Sequence, residues 1–193
     1  MDFLKNYIDK LQLALSSLDL KTVEKSRSLV VNARERNSQI FLCGNGGSAA
    51  TASHMANDLG KGASFGREKI DRFRVTALTD NVPWMTALAN DIHYESVFSE
   101  QLKNLGERED LLIAISGSGN SANVLNAVAT ARDLGMISIG WTGFGGGKLA
   151  AEVDTAIIVD SYHMGRVEDI HTVLMHLICY YFMESENTDL RVN

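Results

Sequence analysis

The chain has 193 residues, 45% hydrophobic and 22% charged, enough for one domain with a sizeable core. A formal net charge of −6 with no basic run argues against a dedicated nucleic-acid surface, and no apolar run reaches membrane-spanning length. The two cysteines, Cys43 and Cys179, lie in apolar stretches and read as reduced core residues; the start Met-Asp-Phe-Leu-Lys has no leader pattern, so a cytoplasmic protein is expected.

Residues 2–37 predict two helices. Phe3, Leu4, Tyr7, Ile8, Leu11 and Leu15 recur at helical spacing, a break falls near Asp19 or Lys21, and a second run carries Val23, Leu29, Val30, Val31 and Ala33. A strand over 39–43 meets the loop Gly44-Asn45-Gly46-Gly47-Ser48, and a helix over 48–59 follows. The stretch 60–72 is charged and glycine-rich with no periodicity, and suits an active-site loop. Next come a strand over 75–78, a helix opened by Pro83 and running to 89, and a helix over 94–105. A strand over 111–115 leads into Ser116-Gly117-Ser118-Gly119-Asn120-Ser121 and a helix over 122–134. A strand over 137–141, the cluster Thr142-Gly143-Phe144-Gly145-Gly146-Gly147, a strand over 155–159, a final helix over 166–183 and a polar tail complete the order.

Apolar strands alternating with helices imply an α/β domain whose parallel sheet is covered on both faces. Ligands of such sheets bind beyond the carboxyl ends of the strands, where all three glycine clusters fall. Glycines let backbone N–H groups approach an anion, the following helix presents its positive end, and small hydroxyls add donors. No Walker lysine follows either loop. Gly44, Gly46 and Ala49 fit a dinucleotide fingerprint only with alanine in its last place. Two serine-rich loops in one domain point to a phosphorylated ligand; a pair of tight strand-to-helix turns is the bland alternative.

His54 and Asp58 are four apart on one helix face, and Glu168, Thr172 and His176 follow at i, i+4 and i+8 on another. Imidazole with carboxylate suits a divalent metal such as zinc and equally suits acid–base catalysis. A solvated helix surface for the first pair and a satisfied core histidine for His176 stay open. His171 points elsewhere on its helix and reads as structural; His93 and His163 fall in predicted loops.

The runs Cys-Gly-Asn-Gly-Gly-Ser (43–48), Ile-Ser-Gly-Ser-Gly-Asn-Ser-Ala-Asn-Val (115–124), Thr-Gly-x-x-Gly-Gly-Lys (142–148) and Glu-Asp-Ile-His (168–171) together resemble the sugar isomerase (SIS) domain family, and within it the phosphoheptose isomerases. The resemblance covers nearly the whole chain. It implies a three-layer, doubly wound, flavodoxin-like sheet of five parallel strands. One SIS domain would span 1–193: N-terminal helices for packing and oligomerisation (1–37), the α/β core (38–185) and a tail (186–193). It implies a homotetramer with no membrane or direct nucleic-acid partner, converting sedoheptulose 7-phosphate and D-glycero-D-manno-heptose 7-phosphate into one another for lipopolysaccharide, capsule or S-layer heptose.

By position, the resemblance assigns substrate binding to Asn45, Gly46, Gly47, Ser48, Asp91, Ser116, Gly117, Ser118, Ser121 and Glu168. Zinc would be held by His54, Asp58, Glu168 and His176, with Asp58 as catalytic base and His176 as acid; no nucleotide cofactor is implied. Three departures stand out: Asp58 where Glu is expected, Glu168 where Gln is expected, and Gly117 where Thr is expected. Two alternatives remain beside this reading. One is a non-catalytic SIS protein that binds the replication initiator, such as a relative lacking the catalytic carboxylate; the other is an isomerase of a different sugar phosphate.

Overall fold

The computed structural model describes residues 2–185; the predicted tail over 186–193 lies outside them. Five strands, β1 (Gln39–Gly44), β2 (Arg74–Ala77), β3 (Leu111–Ile115), β4 (Ile137–Thr142) and β5 (Thr155–Ile158), form one sheet in the order β2-β1-β3-β4-β5, every pair parallel. The expected doubly wound sheet is therefore present. Its central strands are apolar on both faces because helices cover both.

Alternation along the strands sorts residues between two cores. Ile40, Leu42, Ile113, Ile139 and Trp141 pack under α2 (Leu20–Glu35), α3 (Gly47–Asn57) and α8 (Met164–Tyr180). Phe41, Cys43, Leu112 and Ala114 face α5 (Ser99–Leu105), α6 (Ala122–Asp133) and the short α7 (Leu149–Glu152). Both cysteines are buried and free; desolvation pushes the Cys43 thiol up to about 12, which keeps it protonated.

The N-terminal helix α1 (Asp2–Ser16) buries only Ala14 within the chain, and Phe3, Leu4, Ile8 and Leu13 stay more than half exposed. The Tyr7 hydroxyl, donating to Asp169 Oδ2 at 2.6 Å, ties it to α8. The Asp19 side chain caps α2 by accepting from Lys21 N–H and the Thr22 hydroxyl, so the break falls where the sequence indicated.

Several elements differ from their sequence expectations, among them the unexpected α7 and a final helix that starts at Met164 and passes into a π turn after Tyr180. The single helix expected over 94–105 is a 3-10 turn at Tyr94–Ser96 followed by α5, since Ser96 and Ser99 bond to the local backbone and the His93 ring instead of extending one helix. The helix after the first loop ends at Asn57 in a π turn over Asp58–Gly62. The stretch 60–72, lacking periodicity, anchors itself through buried Ser64, whose hydroxyl donates to Leu59 O and accepts from Phe73 N–H. The remaining helix, α4 (Val82–Asp91), starts with Pro83 in its first turn and Asn81 as its cap. No helix among the described residues is long and apolar enough to cross a membrane.

Candidate active site

The strand order reverses between β1 and β3, and a crevice opens beyond their carboxyl ends at such a point. The two strands pair to their last residues, Gly44 opposite Ile115, so both serine and glycine loops leave the sheet side by side. Gly46 sits at φ +54° at the start of α3, and no side chain caps that helix, which leaves its leading N–H groups open to an anion. Gly119, at φ +66°, turns the second loop so tightly that a Cβ there would lie 2.2 Å from the Gly146 carbonyl oxygen. The third glycine cluster thus braces the second loop.

Asn45, Gly46, Gly47, Ser48, Ser116, Gly117, Ser118 and Ser121 line a cavity of about 240 Å³ with Ile115, Met164 and Glu168. Ser48 and Ser116 are buried, and the Ser116 and Ser121 hydroxyls lie 3.0 Å apart. The structure brings these hydroxyls and backbone amides together around one cavity, whose lining is of a kind that suits a phosphate-sized anion.

His54, Asp58 and His176 come together at the far end of α3. Their ligand atoms all lie within 4.8 Å of one another, and His54 Nε2 is 3.6 Å from Asp58 Oδ2. The two histidine rings meet edge to face at 5.2 Å. Asp58 is buried as the first residue of the π turn, and its other oxygen accepts from Asn57 Nδ2 at 3.1 Å. Two ligands about 2.1 Å from one tetrahedral ion lie roughly 3.4 Å apart, so the His54–Asp58 spacing fits a shared divalent cation. The donor set, two imidazoles and a carboxylate, fits it chemically.

Glu168 does not join that group. Eight residues of helix separate it from His176, a rise of about 12 Å. Its carboxylate lies against Gly47 instead, 2.6 Å from where a Cβ would be. It lines both the cradle and a neighbouring cavity of about 240 Å³ formed with Ala50, Thr51, His54, Asp169 and Thr172. Glu168 therefore stands between the cradle and the His54 end of the cleft. Asp91 closes α4 in an exposed position, accepts from Asn90 Nδ2 at 2.9 Å, and is not among the residues lining the cradle.

His171 packs in the core against Trp141, as a structural residue. Neither ring nitrogen has a hydrogen bond of good geometry, and burial lowers its pKa from 6.5 to about 4, partly offset by the nearby Thr142 backbone. His163 accepts from Arg166 N–H to cap α8, and His93 Nδ1 pairs with the Ser96 hydroxyl at 3.1 Å.

Three residues of the site escaped sequence reasoning. Met164 lines the cradle, and its sulfur lies 2.5 Å from where a Cβ on Gly117 would be. The space a threonine side chain would need at 117 is thus taken by a thioether. Asn123, only 3% exposed, pairs its amide with that of Asn45, and the Tyr94 hydroxyl donates to the same Asn45 oxygen. The sequence signal for Asn123 is a polar residue on the otherwise apolar inward face of its helix; Met164 and Tyr94 carry none.

Residues 4–143 match the family model described as the SIS domain. A phosphoheptose isomerase of Helicobacter pylori strain P12 is 40% identical over 173 residues, 89% of this chain and 87% of that protein. One from Aliarcobacter butzleri is 42% identical over 159 residues, 81% of this chain and 82% of that one. The solved structure of the Neisseria gonorrhoeae phosphoheptose isomerase superposes with a TM-score of 0.86 at 30% identity, covering 94% of this chain and 97% of that one.

Proposed function

The chain belongs to the SIS domain family and, within it, to the phosphoheptose isomerases, and on that footing we infer that it converts sedoheptulose 7-phosphate and D-glycero-D-manno-heptose 7-phosphate into one another through an enediol. It is an isomerase of heptose biosynthesis. One observation carries the reading of the site: a cradle of hydroxyls and free amides adjoins, through Gly47 and Glu168, a second cavity that reaches His54, one of the two imidazoles grouped with the Asp58 carboxylate.

The 7-phosphate sits in the cradle on Ser48, Ser116, Ser118, Ser121 and the N–H groups of residues 45–47. Glu168 accepts a sugar hydroxyl partway along the cleft, and Asp91 serves the same sugar. The carbonyl end then reaches Asp58 and His176. Asp58 takes the proton from the carbon next to the carbonyl and returns it to the neighbouring carbon. His176 gives a proton to the carbonyl oxygen as the enediol forms and takes one from the adjacent hydroxyl as it collapses. Burial of Asp58 keeps bulk water from competing for the transferred proton.

His54, Asp58 and His176 would hold zinc, with Glu168 lining the neighbouring cavity beside His54; zinc, when bound, would supply Lewis-acid polarisation of a substrate oxygen. The protein acts in the cytoplasm as a homotetramer, a reading supported by the exposed apolar side of α1.

The test incubates the protein with sedoheptulose 7-phosphate in D2O, with and without zinc, and follows the sugar by NMR. Aldose formation with deuterium at C2, the former carbonyl carbon, supports the assignment. Binding without exchange supports a non-catalytic phosphosugar-binding protein instead. Faster turnover of another ketose phosphate run in parallel reassigns the substrate.

A further inference from the structure

We infer that the Asn45 side-chain amide is a positioning group, one part of a clasp closed by Asn123 and Tyr94 that sets the spacing of the two cradle loops. The inference rests on the isomerase reading for its substrate and deepens the description of that site. Asn45 Nδ2 donates to Asn123 Oδ1 at 2.8 Å, and Asn123 Nδ2 donates back to Asn45 Oδ1 at 2.8 Å. The Tyr94 hydroxyl donates to Asn45 Oδ1 at 2.9 Å. An amide oxygen has two lone pairs, and both on Asn45 are taken; one of its two N–H groups is also committed. Val124 N–H on Asn123 Oδ1 fixes which way the buried amide faces, and with it the orientation of Asn45.

The placement gives the clasp its effect. Asn45 belongs to the loop after β1, Asn123 to the first turn of α6 after the second loop, and Tyr94 to the turn after α4. Seventy-eight residues of chain separate the two amides, yet they meet directly across the reversal point of the sheet. Asn123 is buried and so cannot swap its partner for water without cost. A phosphate held by both loops therefore meets donors at a fixed separation. Opening the clasp leaves each loop intact but lets their distance vary, which weakens anion binding while leaving Asp58 and His176 in place.

The test compares Asn45→Ala, Asn123→Ala, Tyr94→Phe and the doubles Asn45→Ala/Asn123→Ala and Asn45→Ala/Tyr94→Phe. Steady-state kinetics give KM and kcat with sedoheptulose 7-phosphate, and calorimetric titration gives the Kd of inorganic phosphate. Each alanine single is expected to raise KM and the phosphate Kd about tenfold, with kcat within roughly threefold of the parent. Each double should be no worse than its Asn45→Ala parent. If Asn45→Ala weakens binding while Asn123→Ala does not, the Asn45 amide touches substrate and the clasp is refuted. Equal added losses in the doubles refute it as well. Tyr94 is exposed and Asn45 only half-buried, so their cycle reads the coupling even if Asn123→Ala does not fold. A protein without isomerase activity would overturn the substrate assignment, and the phosphate titrations would still judge the clasp.

Discussion

His171 should make this protein sensitive to mild acid. The ring lies in the core against Trp141, 1% exposed, and burial lowers its pKa from 6.5 to about 4. In the unfolded chain the ring takes up a proton near pH 6.5; in the folded chain it resists until about pH 4. Between those values the unfolded state binds more protons, so stability is fully present above pH 6.5 and drains away as pH falls toward 4. The gap is worth on the order of 3 kcal/mol, a large part of a typical domain's stability. The assay is the urea midpoint of the parent and of His171→Leu at pH 7.5, 6.0, 5.0 and 4.5. Carboxylates common to both proteins cancel in the difference. The parent is expected to lose about 2 kcal/mol more than His171→Leu between pH 7.5 and 4.5. Parallel curves would mean that the ring is protonated in the fold or finds a partner there, and the reasoning would fail.

Asp58→Asn should lower kcat by on the order of 10³-fold while leaving sedoheptulose 7-phosphate binding by calorimetry near the parent's; undiminished turnover removes Asp58 as base. Gly117→Thr should cost about 1–3 kcal/mol in chemical denaturation because the new side chain meets the Met164 sulfur, and Met164→Ala in the same chain should recover most of it. His54→Ala or His176→Ala should reduce zinc retained after dialysis, measured by plasma emission, from about one equivalent to near none, whereas Asp169→Asn should not. Phe3→Glu/Leu4→Glu should shift the sedimentation coefficient to a smaller assembly without changing the circular dichroism spectrum, since neither side chain is buried within the chain.

The sheet and its loops were legible because each central strand is a short, largely apolar run leading into a glycine-rich loop, and such runs admit few other structures. Helix boundaries failed where side chains bond locally, Ser96 to the His93 ring and Ser99 to the Ser96 carbonyl. His54 and Asp58 were readable as a pair because four residues of helix bring side chains together. The relation of Glu168 to His176 was not, since eight residues of helix put two side chains on one face without saying whether either bends toward the other. The Asn45–Asn123 contact was illegible for another reason: it joins segments far apart in sequence, and only the completed strand order makes them neighbours.

The pairing of β1 with β3 down to Gly44 and Ile115 has a dynamic consequence. The cradle is stapled to the two strands flanked on both sides by others, the part of a sheet that opens only when the whole molecule does. Amide protons of residues 41–44 and 112–115 should then exchange with solvent solely through global unfolding. A bound sugar phosphate would slow them all by one common factor, turning ligand affinity into lifetime for the entire fold.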